Sequence, residues 1–325
     1  MVTGGAGYIG SHAVLALREA GFGVVVLDNL STGRRALVPD GVPLVEDDVG
    51  RPGAAEAVLR DHGVSAVLHF AGSIVVPESV ADPLKYYGNN TCASRTLIEA
   101  CVAAGVNRFI FSSTAAVYGD AETLPVVEDT PQLPINPYGT SKLMTEWMLR
   151  DTAAASDLRY CALRYFNVAG ADPQGRTGQA TPDATHLIKV ACEVATGKRD
   201  HMMIFGDDYD TPDGTCVRDY IHVTDLADAH VAALRYLEGG GDSVIANCGY
   251  GHGFSVRQVL DAVGRQAGAP LDARMAPRRA GDAPALMSDS TRARQVFGWT
   301  PRHDDLDLIC KTALAWERMQ DARIG

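Results

Sequence analysis

The stretch Gly4-Gly5-Ala6-Gly7-Tyr8-Ile9-Gly10 spaces its glycines as G-x-x-G-x-x-G, and a helix-like segment from Ser11 to Glu19 follows at once. Glycine removes the Cβ where backbone has to approach a pyrophosphate, and the free N–H groups of the following helix face that anion. The next apolar run, Val24-Val25-Val26-Leu27, ends at Asp28. That is roughly twenty residues past the last glycine, the spacing at which a carboxylate takes a ribose 2′-hydroxyl. The same carboxylate repels a 2′-phosphate, so the stretch predicts NAD over NADP, although Arg34 and Arg35 lie near enough to raise the alternative. A glycine triplet alone also fits a plain tight turn; the βαβ surroundings favour the dinucleotide. Only Met1-Val2-Thr3 precede Gly4, fewer than the ~5–6 residues of an ordinary strand, so this start reads as clipped.

Outward from this turn, short apolar runs recur at Ala66–Phe70, Arg108–Phe111 and Tyr160–Tyr165. Helical spacing lies between them, as in Leu97, Ile98, Cys101 and Val102, and in Leu143, Trp147 and Met148. Continuous apolar strands alternating with helices predict an α/β fold with a doubly wound parallel sheet covered on both faces, Rossmann-like. The second half is less regular: Asp172–Thr185 reads as a connection, Asp225–Leu237 as a helix and Val244–Asn247 as a strand. We expect an NAD-binding domain over 1–167 and a smaller α/β substrate-binding domain over 168–325, with a segment near 244–249 returning to the first.

The chain has 325 residues, with 46% hydrophobic and 21% charged, which excludes wholesale disorder. The 29 Lys and Arg against 40 Asp and Glu give a net charge of −11 without a basic cluster, which argues against nucleic-acid binding. No apolar run reaches the ~18 residues of a membrane span, and no secretory signal opens the chain. The seven cysteines form no C-x-x-C pair and read as buried thiols in a reducing, cytoplasmic setting. The nine histidines include no H-x-x-x-H pair, so no metal site is expected.

Tyr138-Gly139-Thr140-Ser141-Lys142 sets tyrosine and lysine four apart, on one helix face, with Pro137 placed to start that helix. A nearby ammonium favours tyrosinate and makes the side chain usable as a base. The spacing fits equally a surface aromatic beside a solvated lysine. Ser112-Ser113-Thr114, at the end of an apolar run, supplies a hydroxyl as a third partner.

With these features the chain resembles the extended short-chain dehydrogenase/reductases, and within them the branch that inverts C4 of UDP-hexoses. The resemblance rests on Gly4–Ser11, Asp28–Gly33, His69–Gly72, Tyr86–Asn90, Val117–Gly119, Pro137–Lys142, Leu163–Asn167, Asp213–Val223 and Pro277–Asp282, and so spans nearly the whole chain. It implies interconversion of UDP-glucose and UDP-galactose through a transient 4-keto sugar, with NAD regenerated in each cycle, by a homodimer built on Tyr86–Ala104 and Tyr138–Ala153. It implies that Gly4, Gly7, Tyr8, Ile9, Gly10, Asp28, Asn29, Ser31, Thr32, Gly33, Asp48, Val49, Phe70, Ala71, Gly72 and Asn89 surround NAD. Tyr138 is then the base, Lys142 lowers its pKa and holds the nicotinamide ribose, and Thr114 bonds the sugar hydroxyl. Asn167, His186, Leu187, Ile204, Phe205, Arg218, Arg279 and Asp282 match positions that hold the UDP-sugar, and Leu286 matches one lying against the sugar's C2 substituent.

Guanidinium groups suit a diphosphate. Each arginine also fits a surface salt bridge, with Asp219 or Asp282, and Leu286 also fits an ordinary core position. Three departures stand out: Thr114 replaces the commoner serine, Ile74 stands where some relatives have lysine, and Asp183–Leu187 replaces an asparagine-containing segment. Ala115-Ala116 after Thr114 lack the carboxylates a sugar-nucleotide dehydratase needs, and the glutamate of a UDP-glucuronate decarboxylase is missing too. UDP-pentose and UDP-N-acetylhexosamine substrates stay open. A non-catalytic NAD sensor would not need Thr114, Tyr138 and Lys142 together.

Overall fold

The computed structural model describes residues 1–182, 184–279 and 283–324. The chain opens with β1 (Val2–Thr3), α1 (Tyr8–Glu19), β2 (Val26–Asp28), β3 (Leu44–Glu46), α2 (Ala54–Asp61) and β4 (Val67–His69). Next, α3 (Val76–Ala81) and α4 (Pro83–Tyr86) run through a π-helical turn, Tyr87–Cys92, into α5 (Ala93–Ala104). β5 (Arg108–Ser112), α6 (Pro137–Ala155) and β6 (Arg159–Tyr165) complete the first half.

The second half holds β7 (Asn167–Ala169), α7 (Leu187–Ala195), β8 (Met202–Phe205), β9 (Val217–Arg218), β10 (Tyr220–His222) and α8 (Val223–Glu238). β11 (Val244–Cys248), β12 (Phe254–Ser255), α9 (Val256–Ala267), β13 (Ala273–Ala276), β14 (Ala285–Leu286), α10 (Thr291–Phe297) and α11 (Leu306–Ile324) follow.

Among the described residues the main sheet is parallel throughout, in the order β11-β6-β5-β4-β1-β2-β3. Although only two residues long, β1 lies inside the sheet, with Val2 paired to both Val26 and Leu68. At one edge of the sheet β11 pairs with β6 from Val244↔Cys161 to Cys248↔Tyr165. The two-residue side-chain period splits the core. Leu68, Ile110 and Leu163 face α1 and α8 through Val14, Leu17, Leu226 and Leu234. Val67, Phe109, Phe111 and Ala162 face α2, α5 and α6 through Val58, Leu97, Ile98 and Leu149.

All seven strands point their carboxyl ends to one edge. There β1 is flanked by β2 on one side and β4 on the other, and a crevice at such a switch point is where doubly wound sheets bind ligands. Three small sheets, β10–β7, β12–β9–β14 and β13–β8, hold the remaining described strands.

The structure corrects several readings. Tyr86–Ala104 is not one regular helix, because the π-helical turn interrupts it. Cys92 is exposed, while the other six cysteines are buried, and all seven are free thiols. Val102 and Trp147 continue a helical apolar pattern yet lie exposed. Among the described residues no helix is long and apolar enough to cross a membrane.

Candidate active site

The glycine turn is a close-approach cradle. Gly4 sits at φ +69°, and a Cβ there would stand 2.6 Å from the Ala71 nitrogen; one on Gly10 would stand 2.1 Å from the Gly4 oxygen. Gly7 caps α1 without any side-chain hydrogen bond, so Tyr8 and Ile9 begin a helix whose first N–H groups remain available to an anion. Asp28, buried at the end of β2, accepts from the Ala6 N–H and the Leu30 N–H, both at 2.9 Å. Leu30 adopts φ +56°, a strained conformation for a branched residue, and the loop Asn29-Leu30-Ser31-Thr32-Gly33 curls over the Asp28 carboxylate. Asn29 donates to Asp48 at 2.9 Å, which joins that loop to the one carrying Val49. Arg35, one of the two candidates for a 2′-phosphate, is paired with Glu46. A turn too tight for a Cβ at Gly4 and Gly10, an uncapped helix and a buried carboxylate at the end of β2 together fit NAD.

Phe70, Ala71 and Gly72 leave β4 beside this cradle. A Cβ on Gly72 would lie 3.7 Å from the Lys142 ammonium, so the cofactor loop and the tyrosine helix meet there. Asn136 starts α6 by accepting from the Gly139 N–H at 2.9 Å, and Pro137 occupies its first turn. Tyr138 is then half-buried, with its ring edge-on to Tyr86 at 6.4 Å. Lys142, one turn on, is 4% exposed, and its Nζ donates to the Ser112 carbonyl at 2.9 Å. Burial lowers the Lys142 pKa to about 8. At Tyr138 burial pushes the pKa up and a hydrogen bond with Thr114 pulls it down. Tyrosine, threonine and lysine therefore converge. The expected pull of Lys142 on Tyr138 is not among the dominant influences in this geometry, where the ammonium is turned to the Ser112 carbonyl.

The substrate-side residues form two groups. Leu286 on β14 is the register partner of Arg218 on β9, and it packs against the cluster of Ala115, Val117, Tyr118, Val126 and Leu143, part of which follows directly after Thr114. Asn167 opens β7, and its N–H donates to the Asp219 carbonyl at 3.0 Å. The second group lies on β8 and just past β13: Ile204 is buried, and the Arg279 guanidinium stacks on the Phe205 ring at 4.0 Å. His186 and Leu187 start α7, whose first N–H groups also lack a side-chain cap. His186 is exposed, with its Nδ1 3.4 Å from the Gln179 amide. One cavity, lined by Tyr8, Asn167, Gly170, Gln179, His186 and Leu187 among others, joins the N-termini of α1 and α7. Asn89 is exposed on the π-helical turn and donates to Ser73 at 2.8 Å. Asp282 lies outside the described residues.

Three residues have structural roles here that the sequence did not reveal. Asn90 accepts from the Ser73 N–H at 2.7 Å and donates to Ser141, pinning the loop after β4 to α6. Asp219, fully buried, accepts from the N–H groups of Tyr250, Gly251 and Ser288 and from the Ser288 hydroxyl, so it anchors the segments on either side of Arg218 and Leu286. Glu146 pairs with Arg164 beneath the site. Only Glu146 carried a local signal, lying one helical turn beyond Lys142.

Residues 1–249 match the NAD dependent epimerase/dehydratase family. The UDP-glucose 4-epimerase of Azospirillum brasilense is 59% identical over 325 residues, covering 100% of this chain and 93% of that protein. The crystal structure of UDP-glucose 4-epimerase from Brucella ovis in complex with NAD superposes with a TM-score of 0.94 at 46% identity, covering 97% of this chain and 96% of that one. The structure of the UDP-Glc/GlcNAc 4-epimerase from Campylobacter jejuni gives 0.86 at 49% identity, with 98% of both chains covered. A parallel sheet with a glycine cradle at its switch point, a Thr–Tyr–Lys cluster beside it and these matches lead to one assignment: the chain belongs to the NAD dependent epimerase/dehydratase family.

Proposed function

We propose that this chain interconverts UDP-glucose and UDP-galactose by inverting C4 of the sugar. The carrying observation is the convergence of Thr114, Tyr138 and Lys142 at the edge of the NAD cradle, followed by Ala115-Ala116 where a dehydratase needs carboxylates. NAD, when bound, supplies the acceptor and donor of the C4 hydride. Tyr138 takes the O4 proton and later returns it. Thr114 holds the same hydroxyl and keeps the phenol aligned. Lys142 holds the nicotinamide ribose and adds positive charge near the phenol. Arg218 and Arg279 bind the diphosphate as permanently charged forks, with Asn167, the start of α7 at His186-Leu187, Ile204 and Phe205 around the nucleotide. Anchoring through UDP leaves the reacting sugar free to present either face, which places the binding energy remote from C4.

On the same footing we divide the chain into an NAD-binding unit, 1–167 with β11, and a UDP-sugar unit over the remainder. We place it in the cytoplasm as a homodimer joined through α3–α6, where Val80, Leu84, Met144 and Trp147 are exposed apolar side chains on helices packed together. Turnover of UDP-galactose, UDP-N-acetylgalactosamine and UDP-arabinose, measured side by side, tests the reading. UDP-galactose is expected to be converted fastest, and failure to convert any of the three refutes it.

A further inference from the structure

Beneath the Thr–Tyr–Lys cluster lies a charged pair that the proposed chemistry does not use. Arg164 on β6 and Glu146 on α6 are each 2% exposed in their side chains. The guanidinium meets the carboxylate in a two-pronged bond, Nε to Oε1 at 2.9 Å and Nη2 to Oε2 at 2.6 Å. All but one of the remaining contacts reach the segment that carries Thr114. Ser113, the neighbour of Thr114, donates its hydroxyl to Glu146 at 2.5 Å. Arg164 Nη1 donates to the Tyr118 hydroxyl at 3.0 Å and to the Glu128 carbonyl at 3.2 Å, and its guanidinium stacks on the Tyr118 ring. Tyr118 closes the 3-10 turn Ala115–Tyr118 that Thr114 caps. The pair thus grips residues 113–118 at both ends while Glu146 rides on the helix that carries Tyr138 and Lys142.

A buried ion pair adds little net stability over an apolar pair of the same volume, so its presence calls for another reason. We infer that Glu146 and Arg164 are positioning residues that set the Thr114 hydroxyl against the Tyr138 phenol for proton transfer. The inference rests on the proposed C4 chemistry. Apolar side chains of similar size could fill the space, but they cannot hold Ser113 and Tyr118 by directed bonds. The groups that face Tyr138 are the Thr114 hydroxyl, Tyr86 from α4, Tyr165 from β6 and, one turn on, Lys142. Those facing Glu146 are Arg164, Ser113 and Tyr160. Among the groups facing Tyr138, the Thr114 hydrogen bond is the influence that favours its ionised form. Misplacing Thr114 therefore moves the acidic limb of the rate profile to higher pH.

The test measures kcat, KM and pH dependence with UDP-galactose in three variants of the holoenzyme: Ser113→Ala, Glu146→Gln, and Glu146→Met combined with Arg164→Met. The double variant removes both charges together, which keeps the test valid if the single charge variant fails to fold. We expect kcat to fall by up to about 10²-fold in the double variant, as for a misplacement of about 1 Å, and less in Ser113→Ala. KM and bound NAD are expected to stay near wild type, with the acidic limb shifted upward in both. A folded double variant with wild-type kcat and an unmoved limb overturns the inference. Absence of wild-type turnover would instead overturn the C4 reading itself.

Discussion

The Lys142 ammonium and the Ser112 carbonyl are joined by a buried hydrogen bond of 2.9 Å, which ties the helix bearing Tyr138 to the strand that leads into Thr114. The three polar groups of the site come from two elements more than twenty positions apart, and this contact closes the gap between them. Tyr138→Phe keeps the ring and removes the proton acceptor, so turnover is expected to fall by ~10²–10⁴ while UDP binding persists. Thr114→Val removes the bond that favours the ionised phenol, and the onset of activity is expected at higher pH. Lys142→Met, whose ammonium is turned to the Ser112 carbonyl, should move the onset less than Thr114→Val does. A pH–rate profile of each variant checks this, and near-normal turnover in Tyr138→Phe refutes the assignment of the base.

Asp28 makes the cofactor testable without an activity assay. Its carboxylate is held in place by the Ala6 and Leu30 N–H groups, and in the proposed cofactor site it repels a 2′-phosphate. Heat-denatured protein is expected to release NAD(H) and no NADP(H), and Asp28→Ala should carry less. Activity that depends strictly on added NADP would contradict this.

The cofactor half was legible because its signals are local. Gly4, Gly7 and Gly10, Asp28, and the Tyr138/Lys142 pair each sit at a fixed spacing with a physical reason. The substrate half was less legible because its framework is long-range. β9 and β14 are two residues each and show no period, yet their pairing places Arg218 beside Leu286. Asp219 bonds to residues 31 and 69 positions away, which no window along the chain reveals. The π-helical turn at Tyr87–Cys92 left no propensity signal, and its purpose is visible only in Asn90 reaching back to Ser73. Helices α9 and α11 carry local patterns that went unused: Ser255 and Gln258 form a capping box, and Ile309, Cys310 and Leu314 are buried along one side.

Four buried histidines set the acid limit of stability. Burial lowers the pKa of His12 and His230 to about 4, and of His69 and His222 to about 3. Unfolded histidine titrates near 6.5, so below that pH the unfolded chain binds protons that the native one refuses. The stability these groups contribute is complete above pH ~6.5 and is lost as pH falls toward 4, by at most ~1.4 kcal/mol per pH unit for each group. The midpoint of thermal unfolding is expected to drop steeply between pH 6.5 and 4. His230→Gln should flatten that slope, and a pH-independent midpoint across the window would exclude the account.

The exposed apolar side chains on α3–α6 predict self-association. Leu84 is 79% exposed and Trp147 46%, unusual for large apolar groups on neighbouring helices. A solution mass of two chains is expected at micromolar concentration. Trp147→Arg should yield a monomer that retains its fold, and a monomeric wild-type mass would reject the dimer.

Leu286 governs the last prediction, the choice of sugar. It is paired in register with Arg218, and it is half-buried against the cluster that includes the turn after Thr114. Leucine is intermediate in volume between a small residue that would admit an N-acetyl group at C2 and an aromatic that would exclude it. UDP-galactose should therefore be preferred, with UDP-N-acetylgalactosamine converted slowly. Discrimination by an apolar pocket is worth ~1–3 kcal/mol, or roughly 10–200-fold in kcat/KM. Leu286→Ala should raise the N-acetyl activity and Leu286→Tyr should suppress it, each with little effect on UDP-galactose. The backbone of β14 carries the pairing to Arg218, so neither change should disturb diphosphate binding, and KM for UDP-galactose monitors that directly. If both variants keep the wild-type ratio of the two substrates, Leu286 is a core residue and the selectivity lies elsewhere in the pocket.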